Sequence, residues 1–283
     1  MSQLDFADFF NQAEDPAPAP VAVPLASAAR EPSPAHRMMS IETARKQFVS
    51  VFRHTARHLR RWDVFSDFIT LAASELDLAT IRAPESMARC RKICGRYRPE
   101  DISDLHRLFG MMVSALEANF HDFLGAIFME LELELGDGRQ GQYFTPYSVQ
   151  SLMARMLMPG VQEAVKREGL FTLSEPTCGA GGMVVAVAEC MLEAGLNPSE
   201  QMFASCIDID PVAADMAFIQ LSLLGIPAEV ITGNTLTLKF SRVRYTPVYY
   251  ANDFGERLKT QRRINAMMDF MRSLSDGQVN AGP

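Results

Sequence analysis

The sequence predicts an α/β protein: an all-helical amino-terminal region followed by a domain built on a parallel sheet. Three observations carry this. From Ser40 to Ile81 apolar residues recur at helical spacing with no Gly or Pro. After Pro159-Gly160, short apolar runs of strand length alternate with stretches of helix length, the pattern of strands joined by crossover helices. The composition, 48% apolar and 22% charged in 283 residues, is that of a globular chain long enough to bury a sizeable core. It excludes a collagen, a disulfide mini-scaffold and a wholly disordered chain.

In chain order, Leu4 to Phe10 is a short acidic-aromatic peptide, read either as a docking segment or as a frayed terminus. Asp15 to Pro34 is rich in Pro and Ala and reads as a linker, so 1–39 is expected to be a disordered tail. Helices are expected over 40–81, with Phe48, Val51, Phe52, Phe65, Phe68 and Ile69 inward, and from about Ile102 to Leu135. A helical domain of 40–137 follows, broken by Gly136-Asp137-Gly138. A helix from Tyr147 to Met158, stopped by Pro159-Gly160, leads into the sheet domain, 138–255. Its strands are expected at Leu170–Ser174, Met202–Ile209 and Glu229–Thr232, and its helices at Met183–Ala194 and Val212–Leu224, in a parallel, doubly wound sheet. Residues 256–283 form a basic amphipathic helix and tail.

The net charge of −7 is unevenly spread: −4 over 1–35, +5 over 36–107, −11 over 108–240 and +3 over 241–283. Two basic segments flanking an acidic middle suit a nucleic-acid surface, although a solvated helix face looks the same. His54 and His58, among Arg53, Arg57, Arg60 and Arg61, read as such a polar or DNA-facing surface. There is no run of about 18 uncharged apolar residues, so no membrane span is predicted. Met1 to Phe10 has acids and no basic residue, unlike a secretory signal. Five scattered cysteines fit a reducing cytoplasm. Cys90 and Cys94 with His106 and His121 match no strong zinc spacing, so no metal site is predicted.

Four segments carry chemistry. Glu175-Pro176-Thr177-Cys178-Gly179-Ala180-Gly181-Gly182 joins a strand to a helix, where glycines admit unusual backbone angles and close approach. Asp208, 29 residues after Gly179, ends the next strand, where a carboxylate can accept both hydroxyls of a ribose. Asp210 before Pro211 reads as a helix cap. Thr232-Gly233-Asn234-Thr235-Leu236 ends the third strand; Asn234 either pairs with an adenine edge or shapes a turn. Gly141-Gln142-Tyr143-Phe144-Thr145-Pro146 enters the domain, with Thr145 placed to cap a helix and Pro146 in its first turn. Ligand-directed turns at three successive strand ends form one signal, because open parallel sheets bind ligands at that edge.

In this order and spacing these segments resemble the adenine-specific DNA methyltransferases, above all the modification subunits of type I restriction systems. The likeness covers about residues 110–240 and includes Asn119-Phe120-His121-Asp122-Phe123-Leu124-Gly125. It implies a helical domain joined to a Rossmann-like methyltransferase domain, S-adenosylmethionine as cofactor, DNA as partner, and a specificity or other partner subunit. Gln142, Tyr143, Phe144, Thr145 and Pro146 would line the methionine end of the cofactor. Gly179, Ala180, Gly181 and Gly182 would pack on it through backbone, Asp208 would hold the ribose and Asn234 would lie near the adenine. Glu175 takes the acidic position that opens the glycine loop.

One element of the pattern is missing. The family's Asn/Asp-Pro-Pro-Tyr/Phe run, which holds the target amino group and stacks on the flipped base, does not occur. The nearest match is Thr246-Pro247-Val248-Tyr249, with Thr246 and Tyr249 as catalytic candidates. The 47 residues after Leu236 are few for the further strands of a complete methyltransferase sheet, so the domain reads as shortened. Two readings follow: a DNA adenine methyltransferase, or a catalytically degenerate relative that binds cofactor as a subunit, regulator or restriction decoy.

Overall fold

The structure, a computed structural model, describes residues 40–80, 82–135 and 144–279. The acidic-aromatic peptide, the Pro/Ala-rich segment, Gly136-Asp137-Gly138, Gly141, Gln142 and Tyr143 lie outside these residues.

The helical region begins with α1 (Ile41–His54) and α2 (Arg61–Leu76). Ser40 caps α1 by accepting the Thr43 N–H at 3.2 Å. The run from 40 to 81 breaks at Thr55 to Arg60 without Gly or Pro, and the cause is Arg61. Its guanidinium donates to the carbonyls of Phe52 (3.1 Å), Thr55 (2.8 Å), Ala56 (2.5 Å) and Leu59 (3.3 Å). These bonds satisfy carbonyls at the end of α1 and in the turn that follows it. Ala56 takes φ +45° there and donates its N–H to Asp101 at 2.8 Å. Then come α3 (Pro84–Cys94) and α4 (Pro99–Ala118), each with Pro in its first turn, and α5 (Phe123–Leu135). The core of this region is aromatic: Phe48, Phe52, Phe65 and Phe123 are fully buried, and Phe48 meets Phe68 and Phe123 edge-on at 5.6 Å.

The next helix, α6 (Tyr147–Glu168), runs through Pro159-Gly160 where the sequence predicts a stop. Both residues are solvent-exposed, while Ala154, Val161 and Val165 are buried on one face across the break. Continued burial of that stripe outweighs the lost proline hydrogen bond. Gly169, at φ +72°, ends the helix by donating to Val165 O.

The sheet is built from β1 (Phe171–Glu175), α7 (Gly182–Glu193), α8 (Pro198–Gln201), β2 (Met202–Asp208), α9 (Pro211–Leu223), β3 (Ala228–Asn234) and β4 (Lys239–Tyr245). Its order is β1-β2-β3-β4, with the first three strands parallel and β4 antiparallel to β3. The β1-α7-β2-α9-β3 stretch is a Rossmann-like unit wound in one direction. Successive right-handed crossovers in one direction put α7 and α9 on the same face. The sheet is thus singly wound through its described strands, where helices on both faces of a doubly wound sheet are the sequence expectation. On the helix face Ala204, Cys206, Ala228, Val230 and Thr232 are buried.

Strand β4 was not expected from sequence. It is fixed by ion pairs on that same helix face: Arg244 to Asp215 (2.8 Å) and Asp77 (3.0 Å), and Arg242 to Asp215. Arg244 also lies over the Phe218 ring, 5.2 Å from its centroid. The other face is covered at its amino end by α10 (Pro247–Ala251) and α11 (Phe254–Val279), through Leu170, Phe203, Tyr249, Phe254 and Leu258.

The far side of β1 is a sheet edge, and Thr172 and Ser174 along it are exposed. Beside it, α6 exposes Val149, Leu152, Met153, Met156 and Leu157, an apolar stripe at helical spacing. Among the described residues no helix is long and apolar enough to cross a membrane.

Candidate nucleoside site at the carboxyl edge of the sheet

Parallel strands end together, so the tips of β1, β2 and β3 and the segment entering the domain meet at one edge. The contacts are specific. Asp208 Oδ2 accepts the Gly179 N–H at 2.8 Å and Oδ1 accepts the Asp210 N–H at 2.9 Å, joining the first two tips. Thr235 Oγ1 donates to Pro176 O at 2.6 Å, joining the third to the first. The Phe144 ring covers Gly179, where an added Cβ would lie 2.6 Å from it; Gly179 also has φ +53°. The same ring packs on Phe128 of α5, centroids 5.0 Å apart. The strand tips and Phe144 of the entering segment therefore belong to one cluster.

The glycine loop is held mostly by protein. At φ +83°, Gly181 faces α9, and an added Cβ would lie 3.2 Å from Ala217 Cβ. Gly182 is pressed by Asp122 and Gln150, whose side-chain oxygens would lie 2.6 and 2.4 Å from an added Cβ. Two of the loop's glycines thus admit close packing from beneath, and the backbone is left to face the mouth. Gly181, at the cap position of α7, supplies no side-chain cap, so the N–H groups of the first turn remain for a polar ligand.

Asp208 is partly buried. Burial raises its carboxyl above the ordinary value, partly offset by the Asp210 and Gly179 N–H bonds. Glu175, at the tip of β1, is likewise raised by burial, and the Thr177 N–H offsets part of this. Ile209, next to Asp208, is 64% exposed, an aliphatic side chain beside a carboxylate at the rim. Sequence reasoning passed over it because it prolongs the strand's apolar run. A hydrogen bond with Cys206 and burial both push the Cys178 thiol up, which disfavours its thiolate.

The other predicted residues fall as follows. Asn234 Oδ1 accepts the N–H groups of Leu236 (2.9 Å) and Thr237 (3.0 Å), so its oxygen shapes the β3–β4 turn. Thr145 and Pro146 are exposed; Pro146, not Thr145, takes the cap position of α6. Tyr147 donates to Glu189 at 2.7 Å and ties α6 to α7.

Thr246 and Tyr249 are not brought to this cluster. Antiparallel β4 carries the chain back along β3, which spans about 20 Å, so Tyr245 pairs with Glu229 at the amino end. Thr246 is fully buried; its Oγ1 accepts the Ala228 N–H at 3.0 Å and donates to Ile226 O at 2.8 Å. Tyr249 stacks on Tyr245 with centroids 4.3 Å apart.

Comparison with known proteins bears on this arrangement. A search of curated proteins gives no match. Solved structures with some similarity include a protein of Listeria monocytogenes named as a class I S-adenosylmethionine-dependent methyltransferase (15% identity, 65% of this chain and 51% of that one, TM-score 0.36). Another is the type I restriction-modification methyltransferase subunit of Streptococcus thermophilus (14%, 66% and 56%, TM-score 0.33). A third is the ATP-dependent type ISP restriction-modification enzyme LlaBIII bound to DNA (16%, 80% and 18%, TM-score 0.36). The chain spans about half the length of the first two. The model of one family, N-6 DNA methylase, matches residues 122–263, which takes in the glycine loop, the four described strands and the first ten residues of α11. That match extends over half of the sequence, and the chain belongs to the N-6 DNA methylase family.

Proposed function

We propose that this chain binds S-adenosylmethionine at the carboxyl edge of the sheet and serves the methylation of adenine in DNA. The observation that carries the reading is the Asp208 carboxylate, fixed by the Gly179 and Asp210 N–H groups at the tip of β2. Each oxygen retains accepting capacity beyond those bonds, which suits the two hydroxyls of a ribose. The residues present fit the nucleoside end of the cofactor. Ile209 offers an apolar surface to the adenine, and Asn234, its oxygen engaged in the turn, presents its amide N–H groups. Phe144, with Thr145 and Pro146, lies toward the methionine end, and Glu175, Gly179, Ala180, Gly181 and Gly182 form the floor. When bound, the cofactor supplies an electrophilic methyl group. The chain's own part is to orient the nucleoside through Asp208 and to shape the pocket through the glycine loop.

A second reading has its own observation. Thr246 and Tyr249 lie at the amino end, so the groups that receive the target adenine are supplied from elsewhere. The β1 edge and the exposed α6 stripe give a partner subunit a surface to join. In this reading the chain is the cofactor-binding part of a larger methyltransferase. Labelled methyl transfer from S-adenosylmethionine to mixed-sequence DNA separates the two. Incorporation by the chain alone supports the enzyme. Cofactor binding with incorporation only after adding a partner supports the subunit, and absence of cofactor binding sinks both.

A further inference from the structure

We propose that Gln220, with Asp122, is the positioning device that sets the glycine loop from the helical region; the inference rests on the cofactor reading above. Gln220 sits on α9 and is fully buried. Each end of its amide is committed. Nε2 donates to Ala180 O at 2.7 Å, in the middle of the glycine loop, and to Asp122 Oδ1 at 2.9 Å. Oε1 accepts the Leu124 N–H at 2.9 Å, in the first turn of α5. One side chain thus bonds the loop on one side and the start of α5 on the other. No apolar residue of that volume can reproduce this, because all three partners are buried and want a polar mate.

Neighbouring geometry shows that the fit is built. On the same face of α9, Ala217 lies one turn earlier and receives Gly181, so the helix forms a saddle for the loop. Asp122 is itself fixed: Oδ1 accepts the Gly125 N–H at 2.9 Å, and a Cβ on Gly125 would collide with the carboxylate at 2.1 Å. That explains the glycine of the Asp122-Phe123-Leu124-Gly125 stretch, which the cofactor reading leaves without a role. Beside Asp122, on the same side of Gly182, lies Gln150, buried, with Oε1 lacking a hydrogen-bond partner. Asn at 122 keeps Oδ1 as the acceptor of the Gly125 and Gln220 bonds, which makes it the conservative substitute there. The loop is thereby clamped between α9 below and the α5–α6 side, and its backbone is preset for a ligand.

The test uses the full chain. Gln220→Met keeps the volume and removes all three bonds; Asp122→Asn keeps the acceptor and a donor. Calorimetry with S-adenosylmethionine, run well below each variant's melting temperature, reads affinity. Amide hydrogen exchange at 180–183 reads the loop without ligand. The expected result is that Gln220→Met weakens cofactor binding at least tenfold and speeds exchange at 180–183 while its circular dichroism stays native. Asp122→Asn is expected to bind within twofold of wild type. A folded Gln220→Met that binds within twofold, or exchanges as wild type does, overturns the inference. If that variant fails to fold, Gly125→Ala, which pushes into the Asp122 carboxylate away from the cofactor floor, takes its place with the same criteria. Wild-type chain that binds no cofactor defeats the function proposed above, and the exchange measurement then decides the brace alone.

Discussion

β3 is seven residues long, and its two ends are built for different tasks. At the carboxyl end, Asn234, Thr235 and the neighbouring Asp208 remain partly accessible, and their bonds run between loops. At the amino end Thr246 is sealed, Tyr249 stacks among Tyr245, Phe203 and Phe254, and the polar atoms of Thr246 serve the backbone. The difference teaches that strand direction outranks motif likeness. A Thr-Pro-Val-Tyr run at the end of the fourth strand would reach a ligand only if that strand ran parallel to the others. An antiparallel return turns the same letters into a core.

The largest expected effect lies at the amino end. Arg244 is buried, holds Asp77 and Asp215, and lies over Phe218. Arg244→Ala leaves two buried carboxylates short of a partner, and we expect a loss of about 3–5 kcal/mol in a denaturant titration. The next effect is smaller. Thr246→Val removes one buried donor and one acceptor, with an expected cost of about 1–3 kcal/mol and unchanged cofactor affinity by calorimetry. An affinity loss with native fold would mean that the amino end does take part in binding.

The smallest effect is one of pH, and it belongs to the carboxyl end. Burial raises the Asp122 carboxyl, while bonds from Gln220 and Gly125 and the nearby His121 offset part of it. Tyr147, bonded to Glu189, faces the same group. For a raised acid, stability is present in full below the unfolded-state value, about pH 4, and is lost as pH rises through the folded one. Asp122→Asn cannot ionise, so its stability should fall less than that of wild type as pH climbs above that range. Parallel stability curves would show Asp122 ionised throughout.

Much of the carboxyl edge was legible in the letters. Gly179, Asp208 and Asn234 sit at strand ends where alternating apolar runs put them, and the Gly179–Asp208 bond realises the spacing of 29 residues. What was not legible depended on tertiary partners. Arg61 ends α1 through four carbonyls with no local breaker in the sequence. Helix α6 survives Pro159 because its buried stripe continues. Strand β4, polar along Arg242 and Arg244, forms because Asp77 and Asp215 await those side chains from α9 and the end of α2. No periodicity announces such a strand. Gln220, in the middle of an apolar helix, looked like one polar residue among many until Ala180 and Asp122 were placed beside it.

The tip of β2 is where the ligand is held on this reading. Calorimetric titration of S-adenosylmethionine into wild type, Asp208→Ala and Tyr249→Ala tests it most directly. The expected result is measurable wild-type binding, a loss of about 10- to 100-fold for Asp208→Ala, the worth of a hydrogen bond to a charged group, and no change for Tyr249→Ala. Equal affinity of Asp208→Ala and wild type, with Tyr249→Ala weakened, would contradict it.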